Sequence, residues 1–448
     1  MSYRGSQTQI QAPKEKQRLT QIKLKTRQID NKKKIKRQDR IKQDKENPNL
    51  FSKLVKFHKS ITGLYPLLLF GFLQILVNTY FNFSCNVKMS WSITVYVGVV
   101  MGLPTVLPMI ILVFMFSSMS YLIKKMFYKK KINMNVARIL NLVVVGLVLA
   151  VPLVFYLVKT NIWLRSILGT LSVCHALKLY SYFECLFREL GNEKSKKVKS
   201  KIINQHQQRE SYRKFLLFLN YPTLIYRTKY DFVDKVDYKK AFRYFVGLVL
   251  SNYLLVVNVN SFMKNMGEPI NNLVDFSKNL SCLGFPTFMF FVLMWIQMYH
   301  FFLNFSAELT RFKRRQFYGN WTADSTCKEF WKSWNRPVYN YSVRHIYVPT
   351  ITKLKLPKLV AGVLVFTFSG LFHCYIMWSV FGFWSFSILV FFAIQPFFFL
   401  IDNMFENGKN HLWAVIFKIL IGFVIEPIFG MICFANNTMK FESPALPF

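Results

Sequence analysis

Residues 331–347, "WKSWNRPVYNYSVRHIY", combine aromatic, amide and basic side chains in a chain otherwise dominated by apolar runs. The stretch falls between two of these runs, near 283–305 and 358–380. Apolar runs of about 18 or more residues are typical of transmembrane helices. The stretch is therefore a polar segment of a membrane protein, and its composition asks for a function.

Comparable apolar runs recur along the whole chain, in which 52% of residues are hydrophobic. They lie near 61–79, 93–122, 138–158, 161–186, 241–259, 283–305, 358–380, 383–401 and 411–434. The sequence thus predicts an all-α polytopic membrane protein with about nine transmembrane helices. Pro104 and Pro108 predict a kink in the second helix. No internal repeat is visible, which disfavours a transporter built from inverted repeats.

The formal net charge of +38 would suit a nucleic-acid-binding protein, but its distribution excludes that class. The basic residues gather in the N-terminal segment and in the loops at 124–131, 188–201 and 311–315. The alternate loops, 80–92 and 260–281, carry far fewer. Because positive charge concentrates on the cytoplasmic side of membrane proteins, we predict a cytosolic N-terminus and a cytosolic location for 331–347.

The sequence divides into two parts by composition. Residues 1–48 are rich in Lys, Gln and Asn and poor in aromatic residues, which predicts a basic disordered cytosolic tail. An arm that binds anionic lipid or a partner is the alternative. Residues 49–448 hold the predicted membrane domain.

His373 lies in the middle of the seventh run, within "FTFSGLFHCYIMW". Ser369 and Gly370 share its face of a helix and leave room for another helix or for a ligand chain. Polar groups inside a membrane are costly and therefore point to function. The alternative is a histidine whose hydrogen bonds are satisfied by a neighbouring helix.

The sixth run carries a polar stripe, and the ninth run carries a carboxyl group. Gln297, His300 and Asn304 recur along one helix face, and Glu308 follows one turn later. This stripe either lines a wet cavity or bonds across helices. Glu426 precedes a proline near the middle of the ninth run, where we expect it to be neutral or paired.

Known catalytic patterns are missing from the sequence: it has no P-loop, no GxSxG, no HExxH and no dinucleotide-binding glycine pattern. The seven cysteines show neither a CxxC pair nor zinc spacing, so we expect no metal site. What remains is a buried His373 and an amide, Asn335, on a cytosolic segment. This pair suits base-assisted attack by a lipid hydroxyl on an activated acyl group.

Four segments together resemble a known family. "HFFLNFSAELTRFKRRQFYGNW" (300–321) is similar to a segment that ends in FYxDWW, and "FWKSWNRPVYNYSVRHIYVP" (330–349) is similar to WNxPVHxWxxRHxYxP. "SGLFHCY" (369–375) resembles SxxFHEY, and "YPTLIYRTKY" (221–230) resembles APTLxY. In order and spacing these segments resemble the membrane-bound O-acyltransferases, in the branch of the sterol and diacylglycerol acyltransferases.

The resemblance implies an endoplasmic-reticulum enzyme with helices that enclose an intramembrane reaction chamber. It would transfer a fatty acyl group from acyl-CoA, its co-substrate, to a membrane lipid hydroxyl without a further cofactor. The WNxPV…RHxYxP pattern favours diacylglycerol as acceptor, giving triacylglycerol. "PTLIYR" is closer to the sterol branch, so a sterol ester is the second product. The resemblance also implies a homo-dimer or homo-tetramer.

The resemblance further assigns roles to residues. His373 matches the catalytic histidine, which takes the proton of the acceptor hydroxyl, and Asn335 matches its paired asparagine. Asn335 would donate to the developing oxyanion or hold the acyl group. The expected substrate-binding residues are Phe317, Tyr318, Trp321, Trp334, Arg336, Arg344, His345, Tyr347, Asn304, Glu308 and Glu426.

Arg336 and Arg344, with Lys332, are candidates to pair with the phosphates of CoA. The alternative for these charges is a solvated protein face.

Four positions depart from the family pattern. Asn320 stands for Asp, Thr322 for Trp, Tyr339 for His and Cys374 for Glu. A catalytically weak or inactive family member, acting as a structural membrane subunit, is therefore the alternative hypothesis, and it predicts that His373 is dispensable. A channel or transporter would require polar stripes through several spans, whereas only the sixth and seventh runs carry strong ones.

Overall fold

The computed structural model describes residues 100–157, 162–192, 195–266, 272–324, 326–404, 411–425 and 427–428, with isolated positions between 69 and 79. All of them belong to the unit Gly63–Phe448. The predicted tail at 1–48, most of the first predicted span and Glu426 fall outside the described residues.

Helices make up most of the described chain. They are α1 (Leu103–Tyr128), α2 (Met134–Tyr156), α3 (Ile162–Asn192), α4 (Lys196–Arg209), α5 (Tyr212–Asn220), α6 (Tyr238–Met266), α7 (Leu273–Leu309, including a π-turn at Ile296–Phe302), α8 (Cys327–Trp334), α9 (Arg336–Ser342), a π-turn at Val343–Tyr347, α10 (Val348–Thr352), α11 (Lys358–Phe381), α12 (Phe386–Asp402) and α13 (His411–Ile419), which continues as a π-turn at Leu420–Ile425.

Five described helices are long and apolar enough to cross a membrane: α1, α2, the Tyr238–Asn258 part of α6, α7 and α11. The prediction of an all-α polytopic membrane protein is confirmed. The fourth predicted span forms helix α3 but is not among the five, because charged residues such as Lys178 and Glu184 interrupt it. The eighth forms the 17-residue apolar helix α12. The count of about nine spans stays a prediction.

The ends of the long helices follow from local chemistry. Pro104 lies in the first turn of α1, where a backbone N–H would have no partner within the helix, so proline is tolerated there. Pro108 lies inside the helix. The Asn133 side chain caps α2 by accepting from the Val136 N–H at 2.9 Å. Helix α11 ends at Gly382, whose φ of +79° disfavours a side chain.

Buried apolar residues form three clusters. The first joins α1, α2, α3 and α5 around residues such as Val148 and Phe187. The second is mainly aromatic and joins α7, α8, α12 and α13 around Phe417. The third joins α3, α9 and α11 around Tyr341. Because α11 and α12 pack closely on each other, the second and third clusters meet along α11.

Candidate active site

The loop at 317–322 is called the signature loop here, because it resembles FYxDWW. Backbone hydrogen bonds join it to residues 331–347, the opening stretch. The Gly319 N–H donates to the Ser333 carbonyl at 2.8 Å, and the Arg336 N–H donates to the Phe317 carbonyl at 3.0 Å. A Cβ at Gly319 would lie 2.6 Å from Ser333 Oγ and 2.8 Å from Arg336 Nη2. Glycine at this position therefore lets the loop and the stretch pack as one unit.

A group of tryptophans supports this unit from α7. The rings of Trp321 and Trp334 lie 4.9 Å apart, and those of Trp295 and Trp321 lie 5.4 Å apart. The indole N–H of Trp295 donates to the Trp334 carbonyl at 3.0 Å. Edge-to-face packing of large rings, with the indole nitrogen satisfied, fixes the end of α8 against α7.

Two charged residues from the C-terminal helices hold the other end of the unit. The Asp402 carboxylate accepts from the first two N–H groups of α8, each at 3.1 Å, where the helix dipole favours an anion. The Lys418 ammonium donates to the Thr322 carbonyl at 2.6 Å. The position of α8 thus depends on Asp402 of α12, and the position of the loop depends on Lys418 of α13.

Asn335 separates α8 from α9 and has a fully determined amide orientation. Its φ of −143° and ψ of 84° interrupt the helix. Its Oδ1 accepts from the Val338 N–H at 3.1 Å and so caps α9. Its Nδ2 donates to the Tyr299 hydroxyl oxygen at 2.6 Å. Since Oδ1 is held by an N–H donor, the NH₂ group must face Tyr299.

His373 is held in a single tautomer by its own helix. Its Nδ1 lies 2.8 Å from the Ser369 carbonyl oxygen, which can only accept, so Nδ1 carries the proton. The neutral ring therefore presents the lone pair of Nε2. The imidazole stacks on Phe392 of α12 with 4.3 Å between ring centroids. The small Gly370 lets α12 approach this closely.

The direction of His373 follows from the pattern of exposure along α11. Leu364, Leu371 and Trp378 are exposed and recur every seven residues, which marks the face turned to lipid. At about 100° per residue, His373 lies roughly opposite this face. His373 is nevertheless exposed. The ring therefore lies on a different face of α11 from these three apolar side chains, and both predicted environments of His373 stay predictions.

The opening stretch lies along α11 on both sides of Asn335. The rings of Trp331 and Phe366 lie 5.4 Å apart, and those of Tyr341 and Phe368 lie 6.5 Å apart. Phe392, the stacking partner of His373, shares the second cluster with Trp331 and Trp334. Val338 shares the third cluster with Phe372. The structure thus brings the segment that carries Asn335 to the part of α11 that carries His373.

The predicted stripe on α7 forms hydrogen bonds within the helix and to the signature loop. His300 Nδ1 and the Tyr318 hydroxyl lie 2.6 Å apart, and the buried Asn304 donates to the His300 carbonyl at 2.7 Å. The π-turn at Ile296–Phe302 displaces the helical period here, a feature frequent at functional sites. These bonds run within α7 and to a loop rather than across helices, so both predicted uses of the stripe stay predictions.

Glu308 lies at the end of α7 and joins two loop segments. It is 2% exposed, accepts from the Asp237 N–H at 3.0 Å and forms an ion pair with Arg315. These contacts join 311–315 to the segment before α6. The structure therefore places Glu308 in a loop anchor, and its predicted contact with substrate stays a prediction.

His345 is packed inside the protein. It is 8% exposed, its Nε2 lies 3.1 Å from Ser181 Oγ, and its ring lies 4.6 Å from that of Tyr341. Burial, and after it the charges of Arg188 and Arg344, lower the pKa of His345 to about 3. The imidazole is neutral and joins the π-turn to α3. Its predicted contact with substrate stays a prediction.

The three cationic candidates for CoA differ in their surroundings. Lys332 is exposed, while Arg336 and Arg344 are half-buried. The Arg336 guanidinium lies against the Gly319 backbone and within electrostatic range of Asp324. The Arg344 carbonyl accepts from Arg188 Nη2 at 3.0 Å. Tyr347, the remaining candidate of the stretch, is half-buried at the end of the π-turn.

The residues that depart from the family pattern make local contacts. The buried Cys374 thiol donates to the Ser385 carbonyl at 3.0 Å, next to the start of α12. The Thr322 hydroxyl donates to Asn320 Oδ1 at 3.1 Å within the signature loop. Tyr339 is half-buried in α9. These contacts show that the altered positions still support the loop and the α11–α12 contact.

Tyr299 and Asp402 contribute to this arrangement without any sequence signal for it. Tyr299 lies 36 positions before Asn335, and Asp402 lies 75 positions after Cys327. Tyr299 also lies beside the stripe residue His300 rather than on the stripe. Only the tertiary contacts identify the two residues.

Comparisons with known proteins identify the relatives of this arrangement. The family model of the membrane-bound O-acyltransferases matches residues 177–434, which include α7 to α13. The chain is 27% identical over 264 residues to diacylglycerol O-acyltransferase 1C of Glycine max, covering 57% of this chain and 51% of the relative. It is 27% identical over 319 residues to diacylglycerol O-acyltransferase 1A of Glycine max, covering 67% and 64%.

The same similarity extends to a human protein. The chain is 26% identical over 247 residues to diacylglycerol O-acyltransferase 1 of Homo sapiens, covering 52% of this chain and 49% of the relative. The matched region thus spans about half to two thirds of the length of these curated relatives. All the site residues placed above lie inside the matched range.

Proposed function

The chain belongs to the membrane-bound O-acyltransferase family, and we propose that it transfers a fatty acyl group from acyl-CoA to the hydroxyl of diacylglycerol. The observation that carries the proposal is the orientation of His373. Its Nδ1 is bound to its own helix, and its position on α11 is roughly opposite the exposed Leu364, Leu371 and Trp378. An imidazole with a fixed tautomer and an accessible Nε2 is suited to act as a general base.

The proposed reaction runs in two balanced steps. The acceptor oxygen attacks the thioester carbon while His373 Nε2 takes the hydroxyl proton, and the carbonyl π-electrons move to the oxygen. The tetrahedral intermediate then collapses, the C–S bond breaks, and the leaving CoA thiolate takes the proton back from His373. Asn335 supports the charge on the oxyanion. A space between apolar helices limits competing hydrolysis.

The substrates are proposed to reach the site from different sides. Lys332, Arg336 and Arg344 lie in or next to the stretch predicted to be cytosolic, which suits capture of the CoA phosphates. Diacylglycerol would enter from the bilayer. An endoplasmic-reticulum location with a cytosolic N-terminus, and a homo-dimer or homo-tetramer, complete the proposal and rest on loop charge and on the resemblance.

Diacylglycerol is the preferred acceptor because the three relatives described above carry diacylglycerol acyltransferase names. A sterol acceptor is the second proposal, because "PTLIYR" at 222–227 resembles the sterol branch.

The test is acyl transfer in membranes from cells that lack neutral-lipid synthesis. Labelled oleoyl-CoA is supplied, and label is followed into triacylglycerol and sterol ester for the wild type and His373→Ala. We expect label in triacylglycerol with the wild type and a loss of about 1000-fold or more in the variant, near the middle of the effect of general bases. His206→Ala is the matched control, since His206 is a buried histidine in α4 paired with Glu189.

The outcomes separate the candidate functions. Absence of label with folded wild-type protein would sink the enzyme proposal and favour a structural subunit. Equal label with wild type and His373→Ala would remove His373 from the base role. Label mainly in sterol ester would reverse the order of acceptors.

A further inference from the structure

Tyr299 makes a contact with Asn335 that the mechanism above does not use. The Nδ2 of Asn335 donates to the Tyr299 hydroxyl oxygen at 2.6 Å, and Oδ1 of Asn335 is occupied by the Val338 N–H. The amide therefore cannot rotate to accept from Tyr299 without losing the cap of α9. The phenol oxygen is an acceptor in this pair, so its own proton points elsewhere.

No acceptor for the Tyr299 hydroxyl proton occurs among the residues that the structure describes. Tyr299 is half-buried, and a phenolic O–H in such a position normally finds a partner, because an unmet donor is costly. An acceptor supplied by a bound ligand satisfies this need. The thioester carbonyl of acyl-CoA is such an acceptor, and it gains negative charge during the reaction.

The neighbours of Tyr299 connect it to the segment that lies along α11. Its phenol lies within electrostatic range of the Cys174 thiol. Cys174 shares the third cluster with Phe368 and Phe372, and Phe372 adjoins His373. One turn earlier on α7, the ring of Trp295 lies 6.2 Å from that of Tyr299 and holds the end of α8. Tyr299 is thus joined directly to the segment of Asn335, and that segment lies along the helix of the proposed base.

We propose that Tyr299 is an oxyanion donor of this enzyme and that Asn335 acts by holding and polarising it. This assignment rests on the proposed acyl transfer and deepens it. When the acceptor oxygen attacks, the Tyr299 O–H donates a hydrogen bond to the former thioester oxygen. No proton is transferred there, because the proton of the acceptor still passes to His373 and then to the CoA thiolate. A hydrogen bond from Asn335 to the phenol oxygen fixes the direction of that donor in advance.

Tyr299→Phe in the full chain, purified into nanodiscs, tests the assignment. The variant keeps the ring and loses only the hydroxyl. We expect kcat for diacylglycerol acylation to fall about 100-fold with KM for oleoyl-CoA unchanged, as for other oxyanion-hole donors. The affinity for a thioether analogue of oleoyl-CoA, which lacks the carbonyl, is expected to stay within about 3-fold, since no oxyanion forms on it.

A double variant and a matched control complete the experiment. Tyr299→Phe with Asn335→Ala is expected to be no slower than Asn335→Ala alone, because the two residues act as one unit. Tyr182→Phe removes a buried phenol that donates to Glu210 at 3.1 Å in the cluster of α1, α3 and α5, and it is expected to keep kcat.

Three results would overturn the assignment. One is a Tyr299→Phe kcat within about 3-fold of the wild type, which leaves Asn335 as the direct donor. Another is a parallel loss of kcat and analogue binding with lower thermal stability, which identifies a structural contact. A wild-type protein that binds the analogue but transfers nothing overturns the proposed function itself, and the assignment with it.

Discussion

His373 and His345 are both histidines of motif segments, yet the protein treats them in opposite ways. His345 is 8% exposed, and its Nε2 is hydrogen-bonded to Ser181 Oγ. His373 is exposed, and its Nδ1 is hydrogen-bonded to the backbone of its own helix, which leaves Nε2 accessible. The two regions are joined through α11, because Tyr341 contacts both the His345 ring and Phe368. Under the proposed function, the contrast distinguishes a base, with one nitrogen fixed and the other accessible, from a histidine that packs inside the protein.

The largest expected effect is on catalysis by the accessible histidine. His373→Gln keeps a polar side chain of similar length and removes the base. We expect the rate of acyl transfer to fall about 1000-fold, since proton transfer by a positioned base contributes about 10²–10⁴. The thermal stability of the purified protein is expected to stay close to that of the wild type. A rate of acyl transfer within tenfold of the wild type would show that His373 is not the base.

Asn335→Asp extends the comparison to the segment that lies beside His373, because it changes Asn335 and leaves the proposed base intact. Aspartate can still cap α9 through one oxygen, but it has no N–H for Tyr299. We expect kcat to fall about 100-fold while helix content by circular dichroism is preserved. Recovery of activity on adding Tyr299→Phe would show that the Tyr299 hydroxyl is not the oxyanion donor, contrary to the unit proposed here.

His345→Ala is expected to act on stability. It removes one of the two hydrogen bonds of Ser181 Oγ, which also accepts from the Tyr226 N–H, and a ring packed on Tyr341, so we expect a loss of about 2 kcal/mol in the free energy of unfolding. Thermal unfolding measured by tryptophan fluorescence checks this. A rise in KM for acyl-CoA at unchanged stability would instead support the sequence-based prediction that His345 binds substrate.

The same residue is also expected to make the stability depend on pH. Burial, with Arg188 and Arg344 nearby, lowers the pKa of His345 from its usual 6.5 to about 3. Between these values the unfolded chain binds a proton that the folded protein does not, so stability falls as pH drops below about 6.5. His345→Gln is expected to flatten this dependence by about one proton between pH 6.5 and 4.5. An unchanged slope would show that the folded protein protonates His345 normally.

The sequence predicted the fold class because span length and loop charge are local properties. The predicted spans near 138–158 and 358–380 correspond to α2 and α11, within a few residues. The predicted fourth span, 161–186, contains Lys178, which is buried in α3 by donating to three carbonyls near the end of α5. The sequence could not predict this compensation, because it is tertiary. The predicted tail at 1–48 and the role of Glu426 stay predictions.

The site was only partly predictable. His373 and Asn335 were found from a motif, and the structure places their segments together. Tyr299 carried no pattern, because its importance arises from one hydrogen bond across 36 positions. Glu308 and His345 were expected near substrate, whereas their contacts are an ion pair and a packed ring. The spacing of residues along a helix predicts which of them share a face, but not which tertiary neighbours that face contacts.

The most direct test of the central claim separates binding from chemistry at His373. Purified His373→Gln and wild-type proteins are loaded with labelled oleoyl-CoA in nanodiscs, diacylglycerol is added, and bound label and triacylglycerol are followed over a single turnover. The account predicts that both proteins retain bound oleoyl-CoA with similar affinity, while only the wild type converts it rapidly to triacylglycerol. Equal conversion by the two proteins, or loss of oleoyl-CoA binding in the variant, would contradict it.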